Sequence, residues 1–375
     1  MKTNSDVVII GGGLAGLAGA LHLSEKGLKV TLIEKSSYPR HKVCGEYISN
    51  EILPYLKWLD IDISKLHPTH ITKFEFSTSK GKVASANLPL GGFGISRYQL
   101  DNFLYQKAIT NGCIVIKEMV TDVSFDNDLF TITTPQQILF SKIVLGAFGK
   151  RSNIDQVLSR EFFNKKSPWL AVKAHYNGKF ENDVVALHNF NGGYCGVSKV
   201  ENDIINICYL ADYTTFKQYK NIEEYQRNVL YKNKQLKTIL ENSTLLFDKP
   251  LTISQISFDQ KQAIENHILM MGDTAGLIHP LCGNGMAMAI HSAKIASELV
   301  LDYYSGTIPS REILEKSYQQ QWQRHFGKRL FMGRILAKIL RKKTITNALV
   351  AITAALPMLL PAIIKQTHGK PIAIN

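Results

Sequence analysis

Val7-Val8-Ile9-Ile10-Gly11-Gly12-Gly13-Leu14-Ala15-Gly16 decides the fold of this 375-residue chain. Four β-branched residues running into glycines read as a buried strand that meets a tight turn. Leu14, Leu17, Ala18, Leu21 and Leu23 then suit a helix that Gly27 ends, and Val30-Thr31-Leu32-Ile33 reads as a second strand. Strand, turn, helix and strand close a βαβ unit. Within it Gly11, Gly13 and Gly16 fit G-x-G-x-x-G: one glycine turns the chain, one admits a pyrophosphate to the backbone, and one lets helix and strand touch. The diphosphate would sit at the positive end of the helix. Glu34, at the tip of the second strand, is an acceptor for a ribose hydroxyl, which disfavours a 2′-phosphate but does not separate FAD from NAD.

Composition narrows the classes around this unit. With 45% hydrophobic residues the chain is too apolar for disorder, and its length allows two intimately joined domains. The net charge of +13 is unevenly placed: Lys316 to Asn375 holds eleven Lys or Arg and no Asp or Glu. The excess belongs to that segment, so it does not make the whole protein a nucleic-acid binder. Cys44, Cys113, Cys195, Cys208 and Cys282 are odd in number and form no C-x-x-C pair, which argues against a disulfide framework and a cysteine zinc site. No signal peptide is read at the start, so the expected location is the cytoplasm. H-E-x-x-H, G-x-S-x-G and the Walker loop are missing, and no metal is expected.

A second glycine-rich stretch lies far downstream. His267-Ile268-Leu269-Met270-Met271 reads as a strand, followed by Gly272-Asp273-Thr274-Ala275-Gly276, Pro280, Gly283, Gly285 and a helical run from Met286 to Tyr304. This resembles the second flavin motif of the glutathione-reductase-like FAD fold, G-D-A-A followed by P-x-x-G-x-G. Tyr38-Pro39-Arg40-His41-Lys42-Val43-Cys44-Gly45-Glu46 resembles the P-R-x-K-x-C-G segment of geranylgeranyl reductases, and Arg97-Tyr98-Gln99-Leu100-Asp101 their R-x-x-L/F-D segment. Over about the first 305 residues the chain is similar to FAD-dependent oxidoreductases of the geranylgeranyl reductase and aromatic-hydroxylase superfamily.

The resemblance implies an α/β fold: a discontinuous FAD-binding Rossmann domain (1–65, 96–155 and 266–305) carrying an inserted antiparallel substrate sheet (66–95 and 156–265), then a helical segment (306–375). It implies cofactor contacts from Gly11, Gly13, Leu14, Ala15, Gly16, Glu34, Lys35, Arg40, Cys44, Gly45, Arg97, Val120, Ala147, Gly149, Gly272, Asp273, Gly285 and Met286. Asp273 would hold a ribityl hydroxyl, and Arg97 would approach the flavin or its diphosphate. One departure is Phe148, which stands where relatives carry the Asp of A-D-G-x-x-S. Reduction by NAD(P)H is therefore implied by the family alone.

Catalytic candidates are Cys44, which is either beside the ring or an inert thiol, Tyr194 in a partial Y-x-G match, and His279, which is either functional or a packing residue. The three tryptophans do not form the W-x-W-x-I-P element of flavin halogenases. The leading reading is a monooxygenase acting on an apolar aromatic, prenylated or polyketide-like molecule. The alternatives are a reductase of prenyl or lipid double bonds and a flavin-binding partner protein without turnover.

In the tail, Phe331, Ile335 and Ile339 sit four apart among Arg324, Lys328, Arg334 and Lys338, and Ala348 to Ile364 runs without a charge. Seventeen residues at about 1.5 Å each fall short of a roughly 30 Å hydrocarbon core. Two readings stay open: an interfacial anchor on the anionic inner face of a membrane, or a helix pair docked on the protein's own core.

Overall fold

In the computed structural model, residues 3–340, 352 and 359–374 are described. The apolar run Ala348 to Ile364 lies mostly outside them. Two sheets organise the chain. The first has its parallel centre where the opening sequence predicted it: Thr3–Ile10 lies between Val30–Ile33 and Ile138–Gly146, with Val8 opposite both Thr31 and Val144. Ile268–Met270 pairs parallel on the far side of Ile138–Gly146, and Ile114–Ile116 on the far side of Val30–Ile33. Both carboxyl-terminal strand tips that carry motif residues, Gly11 and Gly272, therefore open at the same end of this sheet, where ligands of such sheets bind.

The second sheet has nine strands and is antiparallel except where Val184–Phe190 runs parallel to Thr69–Ser77. It includes Tyr47–Ser49, which pairs with Val83–Gly94, so the second sheet draws on the segment directly after the Cys44 motif. Trp169–Gly178 and Ile205–Asp212 form its centre. The strand at 171–176 alternates in sequence as though half exposed, yet both its faces are buried, Lys173 and His175 included.

Helices follow local chemistry. Leu14–Glu25 begins at Gly13, which is extended and offers no side-chain cap, so the first amides of the helix stay unclaimed by the chain. Arg97–Thr110 is capped by Ser96, whose Oγ accepts the Gln99 N–H at 3.1 Å. From Asn221 to Leu240 the apolar residues Ile222, Tyr225, Val229, Leu230, Leu236 and Ile239 are spaced as for one helix, yet the segment is broken into Ile222–Asn228, a short 3₁₀ turn and Lys234–Glu241. Asn233 breaks it: its Oδ1 caps the last piece while its Nδ2 reaches Ser77 and Asn189 in the sheet.

Arg311–Leu340 is one helix of 30 residues. It docks through Leu314, Tyr318, Trp322 and Phe326, four apart and buried, and leaves Phe331 55% exposed. The apolar spacing at 331, 335 and 339 marks a different face from the one that packs. Leu359–Lys365 forms a short helix whose Leu360 and Ile364 join a cluster with Tyr47, Leu88 and Tyr194. For these residues the docked reading of the tail holds. Among the described residues no helix is long and apolar enough to cross a membrane.

Candidate functional site

One cavity of about 720 Å³ runs from the first glycine turn to the short C-terminal helix. Its polar end is built on close backbone packing. Gly11 has φ +106°, and a methyl group there would overlap the Ala147 carbonyl; a methyl on Gly16 would overlap the Gly11 carbonyl. These two glycines set the approach of helix, turn and strand, whereas Gly13 has open space in front of it. Gly13, Leu14 and Ala15 line the cavity, and Gly16 lies behind them.

Charge is added by a pair of cations on one carboxylate. Arg97 donates twice to Asp101, at 2.6 and 2.7 Å, and the Lys42 ammonium lies 2.8 Å from the same group. Burial opposes charge on all three. The two cations nevertheless hold Asp101 below the usual carboxylate range, and Asp101 holds Arg97 above its ordinary value. Two cations against one buried anion leave a net positive charge beside Gly13, whose Cβ position is 4.0 Å from an Arg97 guanidinium nitrogen. An open glycine, uncapped helix amides and this charge suit a diphosphate.

Glu34 closes the adenosine side. Its Oε2 accepts the Gly12 N–H at 2.8 Å, and its Oε1 accepts Ser36 N–H at 3.0 Å and Arg40 at 2.9 Å. Glu34, Lys35 and Arg40 all line the cavity.

At the ring end, Thr274 Oγ1 accepts the Gly149 N–H at 2.8 Å and so joins the two loops that carry Ala147, Phe148 and Asp273. Lys261, pushed down to about 8 by burial, donates to the Lys150 carbonyl at 2.8 Å and the Asp273 carbonyl at 3.0 Å. The Asp273 backbone is thereby held while its carboxylate, which faces the cavity, takes no hydrogen bond from the described residues. Ala147, Phe148, Gly149, Gly272, Gly285 and Met286 share this wall. Cys44 and Gly45 line the same end, the Cys44 Sγ lying 3.5 Å from the Met286 sulfur. The order of groups along the cavity suits FAD: glycine turn and positive charge at one end, the Asp273 carboxylate and the start of Gly285–Tyr304 at the other.

Sequence reasoning missed the group between them. Glu46 is fully buried and has φ +54°, a region costly for a residue with a side chain. It accepts from the Arg97 N–H at 2.8 Å, Lys173 at 3.0 Å and His175 at 2.7 Å. Burial would raise it, but His175 and Lys173 hold it below the usual range. Lys173 and His175 come from a strand with no motif; only their i, i+2 spacing put them on one face. His41, Glu46 and His175 bring ligand atoms within 4.8 Å of one another. The Lys173 ammonium already on Glu46 repels a dication there, so the group reads as an ion-pair cluster.

Three predicted residues lie off the cavity wall: Gly16, already placed behind it, Val120 and His279. Val120 is in the core, its carbonyl accepting from Asn153 at 2.8 Å. His279 is buried behind Tyr194, with Phe258 at 4.5 Å and Trp169 at 6.2 Å between ring centres. Burial pushes His279 down to about 4, so it is neutral. Tyr194 does line the cavity, its phenol raised by burial.

With this geometry in view, the likenesses to known proteins are coherent. The FAD dependent oxidoreductase family description matches residues 6–43. The chain is 26% identical to digeranylgeranylglycerophospholipid reductase of Methanosarcina acetivorans, over 90% of this chain and 84% of that one. It is 23% identical to the ubiquinone hydroxylase UbiM of Neisseria meningitidis, over 80% and 70%. The flavin-dependent brominase Bmp2 superposes with a TM-score of 0.79 at 20% identity, covering 97% of this chain and 93% of its own. The chain thus carries an FAD-dependent oxidoreductase domain, and the proteins it is similar to over most of its length include geranylgeranyl reductases and flavin halogenases and hydroxylases.

Proposed function

We propose that the protein is a monooxygenase that hydroxylates an elongated apolar molecule, aromatic, prenylated or polyketide-like, with NAD(P)H as the source of electrons. The observation that carries this reading is the far half of the cavity. Phe74, Phe76, Leu88, Leu187, Ile253 and Leu277 wall it, continuous with the Asp273–Met286 end. FAD held there would supply the redox chemistry that hydroxylation needs, in which two electrons from NAD(P)H and one dioxygen give a hydroxylated substrate and water.

The chain's own residues hold, orient and exclude. Gly13, Arg97 and Lys42 would hold the diphosphate of FAD, Glu34 a ribose hydroxyl and Asp273 a ribityl hydroxyl. The first amides of Gly285–Tyr304 meet negative charge at the ring. The apolar wall keeps water from the reacting atoms. Tyr194, neutral at physiological pH, offers a phenolic hydroxyl to the substrate rather than a base.

A second reading is the saturation of prenyl or lipid double bonds. It is favoured by Tyr194 and Gly196 standing on the cavity wall and by the likeness to the Methanosarcina reductase. Cys208, on the same wall and pushed up to about 12 by burial, keeps its proton and is a local donor for that reaction. Oxygen uptake and product mass separate the two. Substrate-dependent oxygen consumption with a product one oxygen heavier supports hydroxylation; anaerobic turnover to a product two hydrogens heavier replaces it with reduction.

The outer face of Arg311–Leu340 supports peripheral membrane binding as a further part of this proposal: Arg324, Lys328 and Lys338 are exposed around Phe331. Flotation with anionic liposomes tests it. Lys328→Glu with Phe331→Ser, which spares the packed face, should abolish flotation; unchanged flotation overturns it.

A further inference from the structure

The cavity's apolar end is closed by the C-terminal segment. Leu360 and Ile364, four apart on the short helix, are 8% and 7% exposed and pack with Tyr47 and Leu88; Ile363 stands beside them on the cavity wall. Leu336, from the long helix, completes this end. Nothing about a seven-residue helix holds it there by itself, since isolated helices of that length do not persist in water.

A buried carboxylate does hold it. Glu51 is fully buried, and its two oxygens receive Arg329 of the long helix at 3.0 Å and the Gly369 N–H at 2.5 Å. The Glu51 backbone carbonyl takes the Ile372 N–H at 2.8 Å. Asn284 donates to the Thr367 carbonyl at 2.9 Å and to Glu51 at 3.3 Å. Asn284 directly precedes Gly285, the first residue of the helix at the ring end, and its side chain leaves that helix uncapped in favour of the tail. A side chain at position 369 would overlap Arg329 and Glu51, which is why glycine stands there. The tail is thus tied at one point to the 3₁₀ turn that follows Tyr47–Ser49, the long helix and the flavin loop.

We propose that Leu360, Ile363 and Ile364 set the length of substrate that the protein accepts, and that Glu51 clasps this wall in place. The inference rests on the reading of the apolar half as the substrate site, and it names the part of that site which selects for size. A substrate whose apolar portion matches the distance from the ring to this wall buries all of it. A longer one must displace the tail, and each pair of methylenes denied burial costs about a factor of ten in affinity.

Calorimetric titration of the full-length holoprotein with the straight-chain alcohols from octanol to octadecanol reads this directly, without turnover. Wild type should gain affinity with chain length up to a limit and then stop. Ile363→Trp should move the limit to shorter alcohols, and Leu360→Ala to longer ones, with shorter alcohols bound as by wild type in the first case. The flavin absorbance of each sample reports that the fold is retained. Should either variant fail to hold flavin, E51Q gives an independent reading. In hydrogen exchange its Gly369 and Ile372 amides should open at least tenfold faster, and its length limit should disappear. An identical limit in all folded variants overturns the proposal, as does wild type that binds no alcohol. Flavin bleaching by NADPH or NADH in the same preparation tells that outcome apart from a failure of the redox reading.

Discussion

Arg97 and Asp101 face each other one helical turn apart, joined by two hydrogen bonds of 2.6 and 2.7 Å beside the first glycine turn. The pair fixes a guanidinium where the helix Leu14–Glu25 begins, and Lys42 shares the carboxylate. Local positive charge and helix amides thus converge on one spot, although they come from three separate parts of the chain.

Removing the anion should therefore cost stability more than it costs cofactor. Asp101→Asn leaves the partly buried Arg97 and Lys42 without their anion and is expected to lower folding stability by up to about 3 kcal/mol. Arg97→Met keeps packing but removes charge from the diphosphate position, and should weaken FAD binding by roughly tenfold to a hundredfold, about 1.5–3 kcal/mol for a charged hydrogen bond. Urea unfolding of the apoprotein and fluorescence titration with FAD measure the two separately.

The glycines of the turn should divide in the same way. Gly11→Ala introduces both a left-handed conformation and an overlap with Ala147, so the apoprotein should unfold more readily by at least about 2 kcal/mol. Gly13→Ala meets open space and should leave apoprotein stability within about 0.5 kcal/mol, while FAD affinity falls because the methyl group holds the diphosphate off the backbone. Thermal melts with and without FAD distinguish these outcomes.

Glu46 makes acid a test of the buried cluster. Its carboxyl is held below its ordinary value in the folded protein, so its contribution is present above the unfolded value of 4.5 and is lost as pH falls through the lower folded value. Glu46→Gln should destabilise the protein at neutral pH by about 3–5 kcal/mol, because Lys173 and His175 lose their anion. The difference from wild type should shrink below pH 4.5. Denaturant midpoints across that range give the answer.

His279 acts with a different window. Its folded value is pushed down from 6.5 to about 4, so below pH 6.5 the unfolded chain binds a proton that the folded protein refuses. Stability is complete above 6.5 and falls as pH drops toward 4, by an amount of order 3 kcal/mol at about 1.4 kcal/mol per unit. His279→Gln should flatten the slope of melting temperature against pH between those values. A slope equal to that of wild type would show that this imidazole does not titrate as its burial requires.

How much of this was legible beforehand depends on the range of the interaction. The βαβ unit and the G-D loop were readable because each glycine answers a local demand, for a turn or a close approach, that its neighbours in sequence state. The break at Asn233 was not, since the residue that ends the helix does so by bonding Ser77 and Asn189 from other strands. The packed face of Arg311–Leu340 was not legible for a similar reason: apolar spacing occurs on two faces, Leu314 to Phe326 and Phe331 to Ile339, and only contact with the rest of the fold buries the first. Lys173 and His175 looked like the wet side of an alternating strand until Glu46 was brought beneath them.

By itself, then, the sequence determined the βαβ unit and its glycine turn, because such a turn is made of backbone geometry and short-range spacing. Tertiary structure decided the ion pairs that charge the site, the burial of His279 behind Tyr194, and the docking of Leu360 and Ile364 at the cavity's end. Those depend on residues tens to hundreds of positions apart meeting in a medium without water, where a carboxylate such as Glu51 or Glu46 is stable only if its partners arrive with it.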